Sequence, residues 1–198
     1  VIQFDVSFEK QVRDYLLESK LQFRDNSTHA HKVDFSFLFP TGEKFNLELK
    51  EKRQPTNTIT WPTVSIPSRY IFIIDDLSCR KIFNSGTNSG VAVRDMVTES
   101  YYFADVLTLF MMPRVRVNRA LDQAGDILKG KWMVDLRNFF EVKAVGGIFA
   151  CAYDYVANHN TIYRDTPSCF GDFYGETIGM GGGVRTKAHK QYDYAVTR

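Results

Sequence analysis

Between residues 33 and 50 apolar and polar positions alternate on both sides of one short interruption. Val33, Phe35, Phe37 and Phe39 take one face, and after Pro40-Thr41-Gly42 so do Phe45, Leu47 and Leu49. A period of two predicts strands, and two such runs around a turn-forming tripeptide predict a β-hairpin. Proline fixes the first torsion of a three-residue loop and glycine supplies the left-handed position that closes it. This loop length sets Phe39 opposite Glu43, Phe37 opposite Phe45, Phe35 opposite Leu47 and Val33 opposite Leu49. On the other face Ser36 meets Asn46, Asp34 meets Glu48, and Lys50 lies one step beyond. A two-residue loop would move Asp34 onto the Leu49 face and break the apolar ladder, so the pattern selects the register.

Before the hairpin, Phe8, Val12, Tyr15 and Leu16 recur at helical spacing behind Ser7, a good N-cap. Glu9 falls at the margin of that stripe, with Arg13 one turn later as a potential ion-pair partner. Residues 22–32 are polar and turn-rich and predict a loop, with His29 and His31 solvated on it. After Lys50 a charged run leads into three prolines between residues 55 and 67, a surface excursion that carries Trp61. The apolar run from Ser68 to Asp76 predicts a buried strand, the expected third strand beside the hairpin. Residues 77–90, with their Asn-Ser-Gly-Thr-Asn-Ser-Gly stretch, predict a flexible loop.

Further on, residues 96–112 mix helical and strand character, and Arg114 and Arg116 alternate with Val115 and Val117 as in a strand. A helix is expected over 120–128, a short strand over 132–136, and an apolar helix over 139–155 interrupted at Gly146-Gly147. The glycine-rich end is irregular as far as residue 184 and then carries Arg185, Lys187 and Lys190. The order predicts an α/β fold rather than an all-β one, with a core over residues 1–135 and residues 136–198 as a C-terminal extension of the same domain.

Composition narrows this picture in three ways. Hydrophobic content of 44% and aromatic content of 14% over 198 residues exclude a disordered chain and suffice for a sizeable core. A net charge of +2 permits a polyanionic partner without requiring one, so the placement of the charges has to decide. Cys79, Cys151 and Cys169 are odd in number and scattered, the pattern of a reducing compartment, and with His159 and His189 they match no closed zinc site. No apolar run reaches the roughly 18 residues of a membrane span and no signal peptide is visible, so no membrane partner and a cytoplasmic location are expected.

Two carboxylates about 5 Å apart at Cβ on rigid strands repel each other and call for a cation. Lys50 neutralising one acid on a solvated face is the simplest answer. The richer one is a divalent ion: Asp34, Glu48 and the carbonyl of Leu49 are hard oxygen ligands suited to Mg²⁺ or Mn²⁺, with room left for water and phosphate. Lys50 is then placed to orient or deprotonate an attacking water and to stabilise charge on phosphorus. Two other acid-x-Lys triplets occur, Glu18-Ser19-Lys20 and Glu141-Val142-Lys143. The first sits at a helix end, and no turn lets Glu141 face Asp135 across a hairpin.

Over residues 7–76 the chain resembles the PD-(D/E)XK nuclease superfamily. The likeness lies in an N-terminal helix with an acid, Glu9, then Asp34, then Glu48-Leu49-Lys50, then a buried strand; the run Glu48-Leu49-Lys50-Glu51-Lys52 also resembles archaeal Holliday-junction resolvases and several restriction endonucleases. Val33 stands where that family often has proline. The resemblance implies a restriction-endonuclease-like mixed β-sheet flanked by helices, with metal held by Asp34 and Glu48, water positioned by Lys50, and assistance from Glu9. It implies a Mg²⁺-dependent endonuclease cutting DNA, of restriction type and homodimeric, with a structure-selective resolvase or repair nuclease and an inactive nucleic-acid-binding module as alternatives. Lys52, Arg114, Arg116, Arg119 and Lys187 are the expected DNA contacts, with Arg185 and Lys190 beside the last.

Overall fold

A computed structural model of the chain describes residues 6–57, 65–120, 128–162 and 179–180. In order the elements are α1 (Phe8–Glu18), β1 (Phe23–Asp25), β2 (Phe35–Leu38), β3 (Lys44–Lys52), β4 (Ile71–Asp75), α2 (Asp76–Asn84), β5 (Ser89–Asp95), β6 (Ser100–Asp105), α3 (Val106–Met111), β7 (Arg114–Ala120), β8 (Leu128–Asp135), a 3₁₀ turn (Leu136–Asn138), β9 (Phe140–Val142), α4 (Val145–Ile162) and β10 (Gly179–Met180). Contacts group them into two compact units, interleaved along the chain: one comprises Val1–Gln54, Arg80–Met111 and Phe139–Ser168, the other Pro55–Cys79, Met112–Asn138 and Cys169–Arg198.

The first unit is a mixed β-sheet flanked by helices, as the α/β reading expects. Its strand order is β1-β2-β3-β5-β6-β9, with β3 antiparallel to β2 and parallel to β5. The hairpin forms in the expected register, Phe35 opposite Leu47, Ser36 opposite Asn46 and Phe37 opposite Phe45. Phe39 N–H donates to Glu43 O at 2.9 Å and Gly42 N–H to Phe39 O at 2.9 Å, closing the loop with Gly42 at φ +95°. That torsion lies in the region where a side chain is strained. Val33, Phe35, Phe37, Phe39, Phe45, Leu47 and Leu49 are all buried. Phe37 lies 5.0 Å from the α4 ring of Phe149, which stacks at 4.5 Å on Tyr15 of α1. Ser7 Oγ accepts from Lys10 N–H at 3.2 Å, and Phe8, Val12 and Leu16 form the buried face of α1.

Among the described residues the second unit is a four-stranded sheet of order β10-β7-β8-β4, with a core of Ile71, Val115, Val117 and Met133.

Five local expectations change. The Ser68–Asp76 run does form a strand, but β4 pairs with β8 in the second unit, and the neighbour of β3 is β5. Within 77–90, expected as a loop, lie most of α2 and the start of β5. Residues 22–32 contain the short β1, joined to β2 by Phe23 opposite Phe37 and by Asn26 N–H to Asp34 O at 2.7 Å. At the ends of the helix expected over 120–128, Ala120 closes β7 and Leu128 opens β8, while residues 121–127 lie outside the described residues. Gly146 and Gly147 sit in the first turn of α4 rather than interrupting it. No helix among the described residues is long and apolar enough to cross a membrane.

Candidate active site on the central hairpin

The register of β2 and β3 brings Asp34 and Glu48 together one step beyond the last paired residues of β2. Glu48 is fully buried on the central strand, and its Oε1 accepts two ammonium groups, Lys50 Nζ at 2.7 Å and Lys81 Nζ at 2.7 Å. Its Oε2 is buried and makes no hydrogen bond. Asp34 Oδ2 accepts from Leu49 N–H at 2.7 Å. Burial, and then the neighbouring Glu48 carboxylate, push the Asp34 pKa up to about 6, against the pull of the Leu49 N–H and the two lysines. In an extended strand the N–H and C=O of one residue point to the same edge, so the Leu49 carbonyl faces the edge where Asp34 lies.

Lys81 is the residue that sequence reasoning misses. It sits on α2, within the stretch expected as a loop, and its side chain is 11% exposed. A helical signal was present there: Asp76 in the first turn, and Cys79, Ile82 and Phe83 at i, i+3 and i+4.

Glu9 reaches the same end of β3. It lines a cleft of ≈ 340 Å³ together with Leu49, Lys50, Glu51 and Arg53. What fixes α1 there is Glu51, whose Oε1 accepts from Phe8 N–H at 3.2 Å and from the Arg94 guanidinium. Burial raises the Glu51 pKa, but hydrogen bonds from Arg53 and Phe8 N–H and the Arg94 charge outweigh it and hold the group below the usual carboxylate range. The ion pair expected between Glu9 and Arg13 is replaced by Arg13 to Asp25, at 2.5 Å from Nη2 to Oδ2.

Among the described residues no cluster of three or more His, Cys, Asp or Glu side chains is arranged to hold a metal. The hairpin offers two carboxylates and a carbonyl, a set that suits a hard cation completed by water and phosphate rather than an all-protein cage. The unpartnered Oε2 of Glu48 is what such an ion fits: a buried anionic oxygen with no donor. The rival triplets lack this setting. Glu18 is exposed at the end of α1, and Glu141, 46% exposed on edge strand β9, pairs with Lys143 and Ser100. Asp135 belongs to the second unit and is held by Arg137 at 2.6 Å.

No family model matches the chain, and no curated protein matches it in sequence. Among solved structures, the Holliday junction resolvase Hjc of the archaeal hyperthermophile Archaeoglobus fulgidus superimposes with a TM-score of 0.36 and 10% identity. The match covers 64% of this chain and 89% of that one. At that distance the likeness carries no argument about activity.

The described residues among those expected to contact DNA fall in both units. Lys52, on β3, is buried, with Nζ 3.3 Å from Asp95 Oδ2. Arg114 and Arg116 lie on β7 of the second unit, where Arg116 Nε is 3.2 Å from Asp76 and Arg114 covers the Trp132 ring at 4.5 Å. The side chain of Arg119 and all of Lys187, Arg185 and Lys190 lie outside the described residues.

Proposed function

We propose that this chain is a divalent-metal-dependent nuclease that hydrolyses DNA phosphodiester bonds at the Asp34–Glu48 face. The observation that supports this most is the state of Glu48: fully buried, held by two lysines through one oxygen, and without any donor on the other. A merely solvated hairpin face would leave its acids in water, where they need no partner. Leaving a buried charged oxygen unsatisfied costs about 1–3 kcal/mol or more, so a site that keeps one is organised for a ligand.

Asp34, Glu48 and the Leu49 carbonyl would hold Mg²⁺ or Mn²⁺. The ion, when bound, supplies Lewis acidity to the attacked phosphate and offsets its charge. Lys50 retains 29% side-chain exposure while its Nζ is anchored on Glu48, so its ammonium can hold the attacking water in line and stabilise the hydroxide as the proton passes to bulk water. Lys81 adds a second positive charge beside the same carboxylate, placed to stabilise the more negative phosphorane-like transition state. Glu9, lining the cleft with Lys50, is a further acid able to steady water or a second cation.

The narrower reading is a restriction-type endonuclease that works as a homodimer, with the extension over residues 136–198 providing readout and dimer contacts. A structure-selective resolvase is the competing nuclease reading. Cleavage of plasmid, linear and branched DNA in Mg²⁺ or Mn²⁺ separates them and tests both. Wild type should cut in a metal-dependent manner, and Glu48→Ala should lose all cleavage. Removing Glu48 leaves Lys50 and Lys81 without their shared anion, so Glu48→Gln, with folding checked by circular dichroism, accompanies it. Full activity in folded Glu48→Gln contradicts the proposal; preference for branched over linear DNA favours the resolvase.

A further inference from the structure

We infer that the DNA backbone on one side of the scissile bond lies in a second, wider cleft of the first unit, along a track of Arg24, Lys32, Lys44 and Lys81; this extends the nuclease reading and rests on it. The cleft measures ≈ 680 Å³, and Arg24 of β1, His31 and Lys32 of the following loop, Lys44 at the start of β3, and Lys81 of α2 line it. No aspartate or glutamate is among its lining residues.

The contrast with most of the other cations in the unit gives this meaning. Lys10, Arg13, Lys52, Arg53, Arg94 and Lys143 each meet a carboxylate. The exposed Arg24, Lys32 and Lys44 side chains meet none among the described residues, although all three face one concavity. Like charges gathered without counter-ions raise a positive potential in a cleft, and a ligand with several negative charges relieves it. Continuity identifies that ligand. Lys81 lines the cleft and also touches Glu48 at 2.7 Å, so the basic track ends at the carboxylates. A polymer threaded along it presents one phosphate to Asp34 and Glu48 while its neighbours rest on Lys44, Lys32 and Arg24. An acidic peptide would satisfy the charges but would bring no phosphodiester to the site. This track also differs from the β7 arginines that the sequence suggests, which belong to the other unit.

The test is binding of a short fluorescent DNA duplex by anisotropy in EDTA, where metal-dependent cleavage is silent, repeated across salt concentrations. Removing two phosphate contacts with Lys32→Ala/Lys44→Ala should reduce the salt slope by about two and weaken binding by at least tenfold near physiological salt. Lys10→Ala, on the exposed face of α1, should bind as wild type does. Both lysines of the double variant are exposed, and circular dichroism confirms folding. Unchanged affinity and slope in the double variant overturn the inference, as does the absence of DNA binding by wild type, or displacement of DNA by polyglutamate at equal charge concentration. The two readings fail separately. Binding that depends on Lys32 and Lys44 without any cleavage in Mg²⁺ or Mn²⁺ removes the nuclease reading and leaves the track; cleavage unaffected by the double substitution removes the track alone.

Discussion

Asp34 carries a conflict between stability and chemistry. Its pKa rises from 3.8 to about 6 in the folded protein, first through burial and then through Glu48. A carboxyl group that binds its proton more tightly when folded stabilises the fold at low pH, and this contribution is lost as pH rises from about 4 through 6. Above that range the ionised Asp34 of the metal-free protein weighs against folding by about 1–3 kcal/mol, allowing for its partial exposure. Asp34→Asn keeps an oxygen for Leu49 N–H and removes the charge. In EDTA it should therefore be more stable than wild type at pH 8 and no more stable at pH 4, by urea midpoints, while losing cleavage. An equal difference at both pH values would show that the charge is not the cause. Lys50→Ala should lower the single-turnover cleavage rate by about 10²–10³-fold, the range of a lost donor to developing negative charge, with little change in DNA affinity. A proportional loss of affinity would instead make Lys50 a binding residue.

At the scale of elements, two glycines show different reasons for the same requirement. Gly42 closes the hairpin at φ +95° with nothing within 4 Å of an added Cβ, so Gly42→Ala strains only the torsion and should cost about 1 kcal/mol. At Gly90 on β5 an added Cβ would stand 2.6 Å from the Ala104 carbonyl oxygen of β6, so Gly90→Ala must displace backbone and should cost about 1–3 kcal/mol. Denaturant midpoints of the two variants check the order; a larger loss at Gly42 would contradict it. The hairpin and α1 were legible because their signals are short-range: a period of two around a proline-glycine turn, and a 3.6-residue stripe behind a serine cap. The neighbour of β3 was not. Ile71–Asp75 is the next apolar run in the chain, and consecutive strands usually pair, yet β4 pairs with β8. The actual neighbour β5 begins inside the Asn-Ser-Gly-rich stretch that reads as a loop, with Ser89 and Gly90 as its first residues. With α2 hidden in that same stretch, Lys81 was hidden too.

At the scale of the molecule, the site residues Glu9, Asp34, Glu48, Lys50 and Lys81 all fall in one unit, although one segment of the other, Pro55–Cys79, separates Lys50 from Lys81 in sequence. The order of elements suggests a core over residues 1–135 with residues 136–198 as an extension of the same domain. Periodicity reports the partner face of a segment but not its partner, so alternation of the two units along the sequence leaves no local mark. One consequence is separable. Arg116→Ala should destabilise the second unit, because it removes a partner of Asp76, and should leave DNA affinity within about twofold. A steep loss of affinity would return β7 to the DNA interface. The central claim, that the hairpin acids form a divalent-ion site, is tested most directly by Mn²⁺ titration of the DNA-free protein followed by electron paramagnetic resonance. Wild type should take up Mn²⁺ at pH 8, and Glu48→Gln and Asp34→Asn should each lose that uptake while remaining folded. Unchanged uptake in both variants, or none in wild type, would contradict it.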